Sequence, residues 1–218
     1  MTFKRKKYLV IKKAITKDMA NFIYRYFMMK RKVTRKFIEG RYISPFETGW
    51  GTWADDQVPN TYSHYADLVM ETLLEKVRPQ IEKETKLKLM PTYSYARIYK
   101  KGDILHRHKD RFSCEISSTM FLGGDLWDIY LEPKKNVGKS PDPSNKGIKV
   151  TLKPGDMLIY SGCELEHWRE AFQGDHSAQV FLHYNQTTSP GAIENRFDSR
   201  PFLGLPAWFK NSLPPPKK

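Results

Sequence analysis

The chain has 218 residues, 39% of them hydrophobic and 13% aromatic, which can fill a core and excludes a mainly disordered chain. Two cysteines, Cys114 and Cys163, exclude a disulfide framework, and no apolar run reaches the length of a membrane span or of a signal-peptide core. The formal net charge of +13 fits polyanions or acidic proteins as partners, or simply a solvated basic surface, and says nothing of the fold.

A single cytoplasmic domain with reduced thiols and no membrane contact is the expectation. Lys4–Lys7 reads as a frayed basic tail, an address or a nucleic-acid contact. From Thr16, a fitting N-cap, to about Lys32, the residues Met19, Phe22, Ile23, Tyr26 and Phe27 recur at spacings of three and four, which predicts a helix. Ile43–Asn60 is rich in Gly, Pro, Trp and Asp. It reads as an ordered loop, and its place before the next helix makes it a candidate lid or substrate wall. A second helix is predicted from about Tyr62 to Thr85, with Leu68, Val69, Leu73, Val77 and Ile81 as its buried face and Pro79 kinking or dividing it. Beyond Leu89 the pattern becomes short strands: Thr92–Tyr99, Glu115–Leu122, Leu126–Glu132, Ile148–Leu152, Asp156–Tyr160, Leu165–Phe172 and Ala178–Tyr184, with Gly- and Asp-rich turns between them. A polar loop is expected at 133–147 and an extended Pro-rich tail at the C-terminal end. Helices followed by seven or eight short strands point to a sandwich or jelly roll with helices packed on one sheet.

His108-Lys109-Asp110 places an imidazole and a carboxylate two residues apart, hence on one side of an extended strand. Alone, the motif fits a surface salt-bridge loop better than a metal site. His167, which opens a strand after the turn LKPGDMLIYSG, can supply a third ligand. Two histidines and one carboxylate on one face of a metal leave three positions open, which suits Fe(II) that must also bind a co-substrate and oxygen. Zinc fits less well, because Cys163 sits in a turn without a partner cysteine at ligand spacing. Trp50, Trp53, Trp127 and Trp168 read mainly as core packing, Cys114 and Met120 as strand packing, and Asp156 as the cap of its turn.

The segment YKKGDILHRHKDR, followed past a GGD turn by LKPGDMLIYSGCELEHWRE, resembles the Fe(II)- and 2-oxoglutarate-dependent dioxygenases, and among them the prolyl 4-hydroxylase-like branch with its bacterial and phage members. The resemblance covers about Thr92 to Asn185. It implies a mainly β fold, a double-stranded β-helix (jelly roll, cupin-like) buttressed by N-terminal α-helices. The expected layout is a single domain over 1–218, with helical support and a loop at 1–91, the β-helix at 92–185 and a C-terminal extension at 186–218. His108, Asp110 and His167 become the metal ligands and catalytic residues, and Tyr99 faces the co-substrate. Iron, 2-oxoglutarate, O2 and ascorbate are the implied cofactors and co-substrates. Arg97 and Tyr95 share the face of Tyr99 by alternation and should look into the same pocket. The family usually holds the distal carboxylate of 2-oxoglutarate with an Arg or Lys nine or ten residues after the distal histidine. Here those positions are His176 and Ser177. A buried dicarboxylate needs a cation or several donors, so Arg97 is the first candidate anchor and His176, if protonated, the second. Arg169 and Tyr95 are candidate substrate contacts, with an acidic partner as the other reading of Arg169. His106 falls outside the pattern, at the rim.

The resemblance thus implies hydroxylation of a C–H bond, first of a prolyl or other side chain of a protein or peptide, with release of succinate and CO2. Two rivals stand beside it. One is an oxygenase acting on nucleic acid, motivated by the charge. The other is a non-catalytic jelly-roll binding module, motivated by the missing Arg or Lys anchor. The sequence leaves the oligomeric state open.

Overall fold

The computed structural model describes residues 2–132 and 146–210. The polar loop expected at 133–147 lies outside these residues except for its last two, and the tail at 213–218 lies wholly outside them. Ten strands are described: β1 (Tyr8–Ile11), β2 (Tyr62–Tyr65), β3 (Leu89–Lys100), β4 (Leu105–His108), β5 (Ile116–Gly124), β6 (Ile129–Leu131), β7 (Ile148–Val150), β8 (Met157–Ser161), β9 (His167–Arg169) and β10 (His176–Gln186). The helices are α1 (Phe3–Lys6), α2 (Lys17–Glu39) and α3 (Leu68–Thr85). The larger sheet runs β1-β8-β5-β10-β3-β2 and the smaller β4-β9-β6-β7, and every pairing is antiparallel. From β3 onward the chain passes back and forth between the two sheets, which makes a double-stranded β-helix.

Period-two alternation gives the larger sheet two different faces. Ala178, Val180, Leu182 and Tyr184 of β10, Ala96 and Ile98 of β3, and Met157 and Ile159 of β8 join Ile23 and Phe27 of α2 and Met70, Leu74, Val77 and Ile81 of α3 in one buried cluster. The intervening residues turn inward: Tyr93, Tyr95, Arg97 and Tyr99 of β3 and Phe181 and His183 of β10 line a cavity between the sheets. Each large apolar side chain so buried contributes about 1.5–3 kcal/mol. The helices therefore cover one face and free the other for chemistry.

Several local expectations change. The segment Tyr62–Tyr65 is strand β2, paired with β3, and the helix begins only at Leu68. Its cap is Asp67, whose carboxylate accepts from the Val69 and Met70 amides at 2.9 and 3.2 Å. Leu68 is 69% exposed, while Leu73, Val77 and Ile81 are buried as expected. Pro79 does not divide α3; it lies on the exposed side, where the carbonyl it leaves unpaired can meet water. The α2 helix is capped by Thr16 as expected but continues to Glu39, seven residues past Lys32. Thr34 is buried in that extra length and donates to the carbonyl of Trp50 at 3.0 Å, although Phe22 of the expected stripe is 70% exposed. The Lys4–Lys7 segment is a helical turn, with Lys7 ion-paired to Glu164 at 2.6 Å. No described helix is long and apolar enough to cross a membrane.

Asp67 fastens three elements at once. Besides capping α3, it accepts from Tyr26 at 2.7 Å and Lys30 at 2.6 Å, both on α2, and hydrogen-bonds His64 of β2 at 3.2 Å. Burial alone would raise its pKa, but these partners hold the carboxyl far below its usual 3.8. Its contribution is therefore complete above the unfolded value and fades as pH falls through the folded one. Asp67→Ala is expected to lose about 3 kcal/mol or more in urea denaturation at neutral pH, from the cap and from stranding Lys30. The deficit relative to wild type should shrink as the titration is repeated at progressively lower pH.

Candidate metal centre

Antiparallel pairing sets His108, the last residue of β4, opposite His167, the first of β9. The His108 Nδ1–H donates to the His106 carbonyl at 2.7 Å and the His167 Nδ1–H to the Leu165 carbonyl at 3.1 Å. Each bond assigns the ring proton to Nδ1 and leaves a lone pair on Nε2. Asp110 lies past the end of β4, so strand alternation does not place it. Its amide donates to the Gly162 carbonyl at 3.0 Å, and its Oδ2 accepts from Ser117 at 2.7 Å. Oδ1 is left facing the two imidazoles, 3.7 Å from His108 Nε2 and 3.5 Å from His167 Nε2. The three donor atoms lie within 4.8 Å of one another.

The protonation states suit a cation. Burial opposes the charge on Asp110, but the neighbouring His167 and His183 and the Ser117 hydroxyl outweigh it and hold the carboxyl well below its usual range. Burial, with His167 beside it, lowers the pKa of His108 and favours its neutral form. Two imidazoles and one carboxylate form a donor set for a divalent first-row metal that leaves further positions open. Behind Asp110, the Ser117 hydroxyl also meets His183 Nδ1 at 3.0 Å, and burial pushes the His183 imidazole down to about 4. Gly162 is required here, since a Cβ on it would collide with the Asp110 carboxylate, the Cys114 carbonyl and the Ser117 hydroxyl.

The triad opens on a cavity of about 540 Å³. Arg97 is buried in its wall and donates to Tyr99 at 3.0 Å, to Asp55 at 2.5 Å and to Gln57 Oε1 at 3.1 Å. Asp55 also accepts from Tyr95. The 43–60 loop therefore reaches the cavity and supplies the counterion of Arg97. Because Arg97 fixes the Gln57 oxygen, the Gln57 amide nitrogen is the atom 3.1 Å from His108 Nε2, and it donates to the lone pair a metal would take. Tyr95 and Tyr99 line the cavity. His176 does not: its Nε2 is bonded to the Tyr24 hydroxyl of α2 at 2.5 Å and the two rings stack. Arg169 is fully buried between the sheets, with no ion pair among the described residues. His106 is exposed. The half-buried Cys163 and buried Cys114 are both free thiols. Cys114, with Asp110 and His183, forms a second group within ligand distance.

Sequence reasoning missed Gln57, Ser117, Gly162 and His183. The Ser161-Gly162 pair that closes β8 carried a turn signal, whereas nothing local tied Gln57 to a site so far along the chain.

No family model and no curated protein matches the chain in sequence. Solved structures do match its fold. A prolyl-4-hydroxylase from Pseudomonas putida superposes with a TM-score of 0.54 at 12% identity, over 84% of this chain and 95% of that one. The chain shares that structure's fold. HygX from Streptomyces hygroscopicus, solved with nickel, 2-oxoglutarate and hygromycin B bound, matches with a TM-score of 0.56 at 14% identity over 85% of each chain. EctD from S. alaskensis in its apoform matches with a TM-score of 0.59 at 17% identity, over 96% of this chain and 81% of its own.

Two substitutions beside the triad should differ in their effect on metal affinity, as read by anaerobic Co(II) titration. Gly162→Ala displaces Asp110 and is expected to weaken binding about tenfold or more. Gln57→Ala removes a competitor for His108 and should leave affinity unchanged or tighten it up to about tenfold.

Proposed function

We propose that the chain is an Fe(II)- and 2-oxoglutarate-dependent oxygenase that hydroxylates a C–H bond, with a prolyl or other side chain of a protein or peptide as the first substrate to test. The observation that carries this reading is the convergence of His108 Nε2, Asp110 Oδ1 and His167 Nε2 at the wall of a cavity enclosed by the two sheets of this fold. These residues would hold the iron, which with 2-oxoglutarate supplies oxidation of an unactivated C–H bond by O2, yielding succinate and CO2. The prolyl-4-hydroxylase and the viral collagen prolyl hydroxylase among the similar structures support the substrate class by analogy of fold.

The chain's own part is binding, orientation and exclusion of water. The Nδ1 bonds to backbone fix both imidazoles, and Ser117, braced by His183, orients the carboxylate. Tyr93, Tyr95 and Phe181 give the cavity an aromatic wall suited to a compact aliphatic ring such as that of proline. Asp55 bridges Arg97 and Tyr95 and draws the loop over this wall, limiting water.

The test is anaerobic titration of the purified protein with Fe(II) and 2-oxoglutarate, following the visible absorption band that the two give together. Wild type should show the band, and His108→Ala and Asp110→Ala should lack it. Succinate release on proline-containing peptides and on single-stranded nucleic acid then sorts the substrate. Metal binding without the band would favour the non-catalytic binding module.

A further inference from the structure

Among the described residues three arginines are buried: Arg97, Arg169 and Arg200. Two have a carboxylate, Asp55 for Arg97 at 2.5 Å and Glu71 for Arg200 at 2.8 Å. Arg169 is 1% exposed and has none among the described residues. Its Nη1 donates to the Trp127 carbonyl at 2.5 Å. Its Nη2 reaches only Thr119 Oγ1, at 3.4 Å, and its Nε has no partner. Nε–H and Nη2–H are the parallel pair on one edge of a guanidinium, the edge that receives a carboxylate bidentately. A desolvated cation with that edge unfilled carries an uncompensated cost.

Asp128 acts on Arg169 electrostatically without forming an ion pair with it, the Trp127 ring centre lies 5.1 Å from its guanidinium, and the remaining surroundings are polar and uncharged. Thr119, Gln179 and Ser177 are all buried. Thr119 meets Gln179 at 3.5 Å, and Gln179 donates to Ser177 at 3.1 Å. Tyr99 and Tyr160, both cavity residues, act electrostatically on Arg169. In the pairing of β4 with β9, His167 stands opposite His108 and Arg169 opposite Leu105, which lines the cavity. Arg169 lies two residues beyond the metal-facing histidine on the same strand face, about 7 Å deeper. That is comparable to the span between the two ends of a five-carbon diacid.

We propose that Arg169, on β9, binds the distal carboxylate of the dicarboxylate co-substrate, using its Nε and Nη2 edge. This rests on the iron and 2-oxoglutarate reading above. It replaces both anchors expected from sequence, because Arg97 already holds Asp55 and His176 is engaged by Tyr24.

The experiment compares two keto acids that share a chelating end, 2-oxoglutarate and 2-oxopentanoate, the second lacking a distal carboxylate. Dissociation constants are read from the anaerobic Fe(II) band for wild type, Arg169→Met, Arg169→Lys and Arg97→Gln. Wild type should prefer 2-oxoglutarate. Arg169→Met should weaken 2-oxoglutarate roughly thirtyfold or more and leave 2-oxopentanoate within about twofold, with Arg169→Lys in between. Unliganded Arg169→Met should melt no lower than wild type and bind Co(II) equally, since it removes an unpaired buried charge. In Co(II)-loaded protein, 2-oxoglutarate should raise the melting temperature of wild type and not of Arg169→Met. Unchanged 2-oxoglutarate affinity in Arg169→Met, equal loss of both keto acids, or a selective loss in Arg97→Gln instead would overturn the assignment. Should wild type bind Co(II) yet give no band with either keto acid, the co-substrate reading fails, and this one with it.

Discussion

The register between β4 and β9 is the constraint on which the site depends. It sets His108 against His167 and Leu105 against Arg169. A slip of one residue would reverse the faces of β9, turning Trp168 inward and His167 out. A strand of three residues cannot hold its own register, so its neighbours hold it. On one side Tyr130 and Leu131 of β6 pair with Trp168 and His167. On the outer face Arg107 is bonded to both Glu166 and Glu132, and its guanidinium lies 4.3 Å from the centre of the Trp168 ring. These outward-facing charges touch neither the metal donors nor the cavity, yet they fix which side chains can.

The larger sheet solves a different problem. Its inner face carries tyrosines, an arginine and a histidine, which alone would be a poor core. Stability comes from the outer face, where α2 and α3 seal a continuous apolar layer. Asp67 locks the two helices and β2 together, and Thr34 and Tyr62 both donate to the Trp50 carbonyl. The chain that leaves Trp50 then runs to Asp55 and Gln57. The helical layer thus determines where the loop meets the cavity as well as supporting the sheet.

What the sequence made legible follows the range of the forces involved. Strand alternation and turn residues are local, so the seven strands from β3 onward, other than β4, were readable, as was the Thr16 cap. The bringing together of His108, Asp110 and His167 was readable because the order of motifs along the chain carried it. Tyr62–Tyr65 read as helix because aromatic residues serve either element, and only pairing with β3 decides. The end of α2 was hidden by a charged run whose one buried member, Thr34, is polar. Phe22 and Leu68 show the converse, apolar residues left at the surface. His176 was placed by its distance from His167 along the chain, but Tyr24 on α2 takes up its ring. Gln57 and Gly162 act through contacts that exist only once the fold has closed.

The Gln57 contact with His108 has a consequence for the loop. Loop and metal compete for one lone pair, so each weakens the other by the same free energy. A metal on His108 would take the Gln57 contact away, while Asp55 would still tie the loop to Arg97 and Tyr95. The loop's hold on the cavity wall thus comes from the protein's own charges and would outlast the loss of its contact with the histidine.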